Sequence, residues 1–413
     1  MGPATIFDKS FLQSLSVDES VWFDHYFTTV ITPLFFIETL ADLEKQVKEG
    51  RTPEDEVGGI ANKTPEQSGS PAVFHVTLCN GELRACAVPM AGRPLLGGAK
   101  RAVVGDKRGV VVELSSEAQA LERWRQREFL EVERFHAKAW REMLATPTVN
   151  AGDDFLRKGY ELVMACKNLP EVLALARTIT DSKGSPYERM KFVFDVVPVR
   201  SDRDLIYARY RATGFPPLRQ YAPYTAHVLD VEIFCRLAMK KGLISGERPS
   251  NRVDIAYLNY LPFSKVFVSG DRLHRATAPL FMDDTQDFVW GPDLKADLKR
   301  INESHAAVPL DVRERGIFAF APYPPREGDF LTARLWDRMN NQWRTPRVLH
   351  LDESKLQAYV SDMLKKMRAS ANSGGAKPNF DIDGADSLII DRKVRVKKGS
   401  WYQVPKGLES GKS

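Results

Sequence analysis

Short apolar runs that stop at acids punctuate this 413-residue chain. Ala4-Thr5-Ile6-Phe7 stops at Asp8, and Lys265-Val266-Phe267-Val268-Ser269-Gly270 stops at Asp271. A β-branched and aromatic run bounded in this way reads as a buried strand with an acid at its carboxyl end. Residues 14–26 carry Leu15, Val17, Val21 and Trp22 at helical spacing, with Ser16 or Asp18 as the start. Residues 31–37 admit a strand ending at Glu38, but Thr32-Pro33 places a proline at the first turn of a helix. The helix is the preferred reading. Its apolar side is then Leu34, Ile37, Leu40, Ala41 and Leu43, Glu38 and Asp42 share a face, and Glu38 points toward the end of the first strand.

Further along, residues 49–70 are polar and rich in turn formers, a loop leaving the core. Residues 72–78 and 101–114 read as a small β excursion with glycines between them. Gly97-Gly98-Ala99-Lys100-Arg101 lacks the spacing of a phosphate-cradling loop and reads as a basic turn. Residues 117–144 read as one long helix, with Leu121, Trp124, Val132, Phe135, Ala139 and Met143 as its stripe. Its other positions mix basic residues and glutamates, either a solvated face or a wall of a substrate groove. Helices are also expected over 156–176, 187–194, 225–241, 293–301 and 356–368. Ser370-Ala371-Asn372-Ser373-Gly374-Gly375 is a flexible break.

Composition adds a mild basic bias, net charge +5. Residues 391–413 hold seven Lys/Arg and two acids, a net of +5, so the last segment accounts for the whole excess. It reads as a flexible tether for polyanions. Cys79, Cys86, Cys166 and Cys235 lack zinc-ligand spacing. No apolar run reaches the roughly 18 residues a membrane helix needs, and the first residues lack a signal peptide's pattern. The expectation is a cytoplasmic protein with reduced thiols and no membrane partner.

The acids carry the chemistry. Asp8 and Asp271 end strands, Glu38 lies on the helix after Pro33, and Asp254 precedes Ile255-Ala256-Tyr257-Leu258. Carboxyl ends of strands in open parallel sheets are where ligands bind, so acids distant in sequence can meet there. Crowded carboxylates repel unless a cation neutralises them, and hard divalent cations do so with oxygen ligands. Phosphodiester hydrolysis uses one or two such ions, about 3.5–4 Å apart when paired.

These segments resemble the PIN-like nuclease family. Phe7-Asp8-Lys9-Ser10-Phe11-Leu12 is similar to the family's opening strand, an Asp followed by a small hydroxylated and an apolar residue. Residues 253–271 look like its closing half, in which an Asp opens a helix and a strand ends in Ser, any residue, then Asp. Glu38 matches the second acid in type and order. The resemblance covers residues 4–45 and 222–300 and implies an α/β, three-layer core with a central, mainly parallel sheet. It implies a Mg²⁺- or Mn²⁺-dependent nuclease whose metal ligands are Asp8, Glu38, Asp254 and Asp271. Accessory candidates are Ser269 beside water at the metal, Arg272 and His274 on a scissile phosphate, and Asp230 as a fifth ligand. Each acid also has an ordinary reading, as a helix N-terminus, a turn or an ion-pair partner.

The chain departs from that family in length, since 216 positions separate Glu38 from Asp254. The resulting organisation is a first core part at 1–48, a mostly helical insertion at 49–220, a second core part at 221–320, an extension at 321–370 and a flexible basic tail at 371–413. The expected activity is endoribonuclease, of toxin or defence type. The partner is nucleic acid, RNA before DNA, because no helical arch or long basic run lies near the acids. The alternatives are a structure-specific DNA nuclease and a non-catalytic scaffold that binds RNA or protein.

Overall fold

The computed structural model describes residues 2–46, 49–145, 153–182, 184–199, 202–248, 250–339, 341–345, 353–372 and 385–407. Its centre is a parallel sheet of five strands. β1 (Ala4–Phe7) pairs on one side with β2 (Thr28–Ile31) and on the other with β6 (Val266–Ser269). β3 (Ser70–Pro71) extends the β2 edge and β7 (Asp287–Trp290) the β6 edge. The order is β3-β2-β1-β6-β7. The intervening β4 (Ala99–Val104) and β5 (Lys107–Val112) form an antiparallel hairpin outside this sheet.

The central strands are mostly apolar or β-branched and are buried because both faces are covered. Their side chains alternate between two cores, as a period of two requires. Ile6, Val30 and Phe267 face one cluster, together with the Pro223–Lys241 and Leu169–Thr180 helices. Phe7, Ile31, Val266 and Val268 face the other, where Phe7 meets Phe23 edge to face at 5.4 Å. The molecule is α/β, with helices on both faces of an all-parallel sheet.

Local signals explain the first helices. α1 (Lys9–Ser14) is N-capped by Asp8, and α2 (Val17–Tyr26) opens with a Ser16–Glu19 capping box. α3 (Pro33–Leu40) starts at Thr32, whose Oγ1 accepts the Phe35 amide at 3.2 Å. The helical reading after Thr32 therefore holds, with β2 ending just before it.

Other expectations are corrected. Residues 72–78 do not form a strand; His75–Leu83 is a helix, and only Ser70–Pro71 pairs with the sheet. The expected long helix over 117–144 is two, Ser116–Arg125 and Glu131–Ala145, broken where Arg127 adopts φ +62°. Val132 and Phe135 of its proposed apolar stripe are exposed. Trp124, Trp336 and Trp343 are buried, and Trp140 is half-buried. The edge strand β3 also lies within 49–220, so that stretch contributes to the central sheet.

The basic tail is the largest correction. β8 (Ser387–Ile390) pairs in parallel with β5, and β9 (Lys397–Lys398) with β10 (Trp401–Tyr402). Buried Lys398 donates to the carbonyls of Lys63 and Thr64 at 3.1 Å each. Arg395 donates to Glu66 at 2.7 Å, and the Trp401 indole donates to Asn302 at 2.7 Å. Residues 385–407 are bound into the fold: Lys398 is buried and Arg392 and Arg395 are half-buried against it, while Lys393, Lys397 and Lys406 stay exposed. Of the break expected at 370–375, Ser370, Ala371 and Asn372 instead close the Glu353–Asn372 helix, and residues 373–384 and 408–413 lie outside the described residues.

Candidate functional site

β1 is the point where the sheet order reverses, since the chain proceeds from it to β2 on one side and returns to β6 on the other. Acids at the carboxyl ends of β1 and β6 therefore stand in the crevice such a reversal creates. Asp8 continues the ladder, its amide donating to the Val268 carbonyl at 3.2 Å. Its Oδ1 accepts the Phe11 amide at 2.9 Å, and its Oδ2 accepts the hydroxyls of Ser10 at 2.6 Å and Ser269 at 2.9 Å. The three side-chain contacts fix the carboxylate against the strand end.

Ser269, the last residue of β6, links three of the predicted positions. Its hydroxyl oxygen accepts the Asp271 amide at 2.9 Å and lies 2.8 Å from Nδ1 of His274. Nε2 of His274 is 2.7 Å from the carbonyl oxygen of Asp254. A carbonyl only accepts, so Nε2 carries a hydrogen. On a neutral ring Nδ1 then accepts, leaving the single Ser269 hydrogen claimed by both Nδ1 and Asp8. His274 is wholly buried, which corrects its expected contact with phosphate. It braces the Ser250–Ala256 helix, through the Asp254 carbonyl, against the strand of Ser269.

Asp271 N-caps the Arg272–Thr277 helix, its Oδ1 accepting the Leu273 amide at 2.5 Å. The turn before it is tight because Gly291 sits against it. A Cβ on Gly291 would stand 3.0 Å from the Gly270 nitrogen and 3.1 Å from Phe11. Asp254 lies in the last turn of the Ser250–Ala256 helix rather than opening it. Its carboxylate accepts no hydrogen bond among the described residues. Glu38, on α3, accepts the Tyr257 hydroxyl at 2.5 Å.

Electrostatics show that the four acids share one neighbourhood. Burial pushes the Asp254 carboxyl up to about 8, and the charges of Glu38, Asp271 and Asp8 add to the rise while Lys9 opposes it. Glu38 is also raised, first by burial, with the Tyr257 hydrogen bond and Lys9 pulling down and Asp8 and Asp42 pushing up. Asp230 stands elsewhere. It is buried on the Pro223–Lys241 helix, pairs with Arg219 at 2.9 Å, and is not among the charges acting on Asp254 or Glu38. The expected fifth ligand is thus an ion-pair partner. Arg272 is exposed beside Asp271.

Two residues of this neighbourhood escaped the sequence reading. Lys9 donates to the Glu38 carbonyl at 3.2 Å and to both oxygens of buried Asp42 at 3.0 Å, which places a cation among the acids. Its signal was adjacency to Asp8. Tyr257 holds Glu38, and its signal was the spacing of three from Asp254, one helical face.

An all-oxygen donor set suits a hard cation such as Mg²⁺ or Mn²⁺. Among the described residues no three Asp, Glu, His or Cys side chains gather tightly enough to cage an ion. The carboxylates fit an ion that binds one or two of them directly and keeps several waters. Comparison of the chain with family models, curated proteins and solved structures finds no match.

Proposed function

We propose that this chain is a divalent-cation-dependent phosphodiesterase that hydrolyses nucleic acid, RNA in preference to DNA, on a core of PIN-like type. One observation carries the reading: acids from positions 8, 38, 254 and 271 gather at the carboxyl edge of the parallel sheet, where burial first, and then the charges of Glu38, Asp271 and Asp8, raise Asp254 to about 8. Clustered half-buried carboxylates cost stability, and a site that concentrates them is a functional candidate. A bound divalent cation would supply positive charge to balance the acids, to activate water and to stabilise the leaving oxygen.

The residues divide the remaining work. Asp8, Glu38, Asp254 and Asp271 would hold the cation. Asp8 and Asp271 sit on strand ends, each fixed by amide hydrogen bonds, and form the rigid side. Tyr257 orients Glu38, and Ser269 holds Asp8 and the Asp271 amide in register. Asp254, which accepts no hydrogen bond among the described residues, would be the carboxyl that gives up its proton when cation arrives. Lys9 holds part of the balancing charge before that.

The test is cleavage of labelled single-stranded RNA and DNA in Mg²⁺, Mn²⁺ or EDTA. Cleavage of RNA that needs a cation and is lost in Asp271→Asn supports the reading. Cation-dependent cleavage confined to DNA junctions would favour a structure-specific DNA nuclease. Binding without cleavage under every cation would favour a scaffold.

A further inference from the structure

A groove of about 580 Å³ opens directly at Asp271. One wall is the segment after the Pro223–Lys241 helix, with Leu243, Ser245, Glu247 and Arg248; the other is Asp271, Arg272 and Leu273. The first wall is built to hold its shape. Gly242, at φ +80°, ends the helix, and its amide and that of Leu243 return to the Met239 and Ala238 carbonyls at 3.0 and 2.9 Å. Ile244 is buried as an anchor, and Asn251 donates to the Ser245 carbonyl at 2.8 Å. Arg248 is therefore presented from a segment pinned at both ends.

Arg248 and Arg272 are exposed, and among the described residues neither side chain has an ion-pair or hydrogen-bond partner. Arg125, Arg219, Arg344 and Arg395 meet carboxylates; exposed arginines such as Arg93 and Arg211 resemble Arg248 and Arg272, but this groove brings two of them to one place. Glu247 and Asp271 offset the two guanidinium charges within the groove. Recognition here thus lies in two discrete forks rather than in a broad positive field. Planar forks match phosphate oxygens two at a time. The volume takes roughly one or two nucleotides of a splayed strand, and Leu243 and Leu273 give sugars and bases an apolar surface.

We propose that Arg248 and Arg272 seat a phosphodiester of single-stranded nucleic acid beside the acid cluster, so that this groove is the path of the bound strand. The inference rests on the phosphodiesterase reading only for what happens at the acids, because seating the strand needs no cation.

The experiment is fluorescence anisotropy with a labelled single-stranded RNA 12-mer in EDTA, using the full chain. Arg248→Ala and Arg272→Ala should each weaken binding about 3- to 10-fold and lower the salt slope by about 0.7, the share of one phosphate contact. Arg248→Lys should recover part of the loss, since charge returns without the fork. Arg157→Ala, an ion-paired residue outside the groove, should bind as the parent does. Both groove residues are exposed, so unchanged melting curves check that the variants fold. Unchanged affinity in both alanine variants overturns the proposal, as does equal or tighter binding of the matching duplex. Weakened binding with no cleavage by the parent under any cation keeps this inference and removes the phosphodiesterase. Cleavage by the parent with unaffected arginine variants does the reverse.

Discussion

Buried carboxylates in this chain differ by what meets their oxygens. Asp24 accepts the amides of Glu66, Gln67 and Ser68 at 2.6–2.8 Å, and Glu82 accepts those of Tyr224 and Thr225 at 2.9 and 2.7 Å. Such acids hold backbone together, and losing one leaves buried N–H groups without partners. Glu82→Ala should cost about 2–3 kcal/mol in urea unfolding with activity per folded molecule unchanged. Asp254 is the opposite case. Its folded carboxyl, near 8, lies above its ordinary value of 3.8, so the folded state keeps a proton that the unfolded state releases across that window. Without metal, stability should decline as pH rises from about 4 to about 8 and level off above it. Asp254→Asn should flatten that decline and raise the metal-free melting temperature at pH 8, while abolishing cleavage. A fall in melting temperature at pH 8 would mark Asp254 as a structural partner instead. Excess Mg²⁺ should raise the melting temperature of the parent more at pH 8 than at pH 6, because binding displaces this proton.

At the scale of elements, strand ends and helix caps position the site, and they differ in how openly they announce themselves. The Ser16–Glu19 box and the Thr32-Pro33 start are local, so their chemistry is complete within a few residues. The break between the Ser116–Arg125 and Glu131–Ala145 helices is not local. No glycine or proline marks it, and Arg127 accepts a left-handed φ where the chain turns back over the Pro53–Lys63 helix, its guanidinium near Asp55. The end of the His75–Leu83 helix is similar. Ala85 adopts φ +78°, with its amide on the Glu82 carbonyl at 2.9 Å and that of Cys86 on Gly81 at 2.9 Å. Glycine suits that backbone better, so Ala85→Gly should stabilise the protein by about 1 kcal/mol, read as a rise in melting temperature. A decrease would show that the helix end is not strained.

At the scale of the molecule, residues 385–407 act as a strap. They add β8 to the hairpin of β4 and β5, and engage Asn62, Lys63, Thr64 and Glu66. They then place Trp401 against Trp22 at 4.8 Å and pair Lys406 with Glu314. The contacts to Trp22 and to residues 62–66 join segments more than three hundred positions apart. Deleting residues 385–413 should lower the melting temperature by many degrees and expose dye-binding apolar surface, rather than only flatten a salt dependence of binding. A truncated chain that melts like the parent would restore the tether reading.

The sequence by itself determined where buried strands end, that Asp8 and Asp271 stand at those ends, and that Glu38 rides on a helix. Apolar runs and caps act over a handful of residues, so they are legible without neighbours. Only the tertiary structure decided that β1 lies between β2 and β6, which is what brings positions 8 and 271 to one edge. It likewise decided that Asp230 belongs to Arg219, that His274 is buried as a brace, and that the last basic segment is strapped onto the fold through buried Lys398. A side chain's charge and reach are written in the sequence. What lies within 4 Å of it depends on chain returning from hundreds of residues away, and that return is fixed by burial of the whole core.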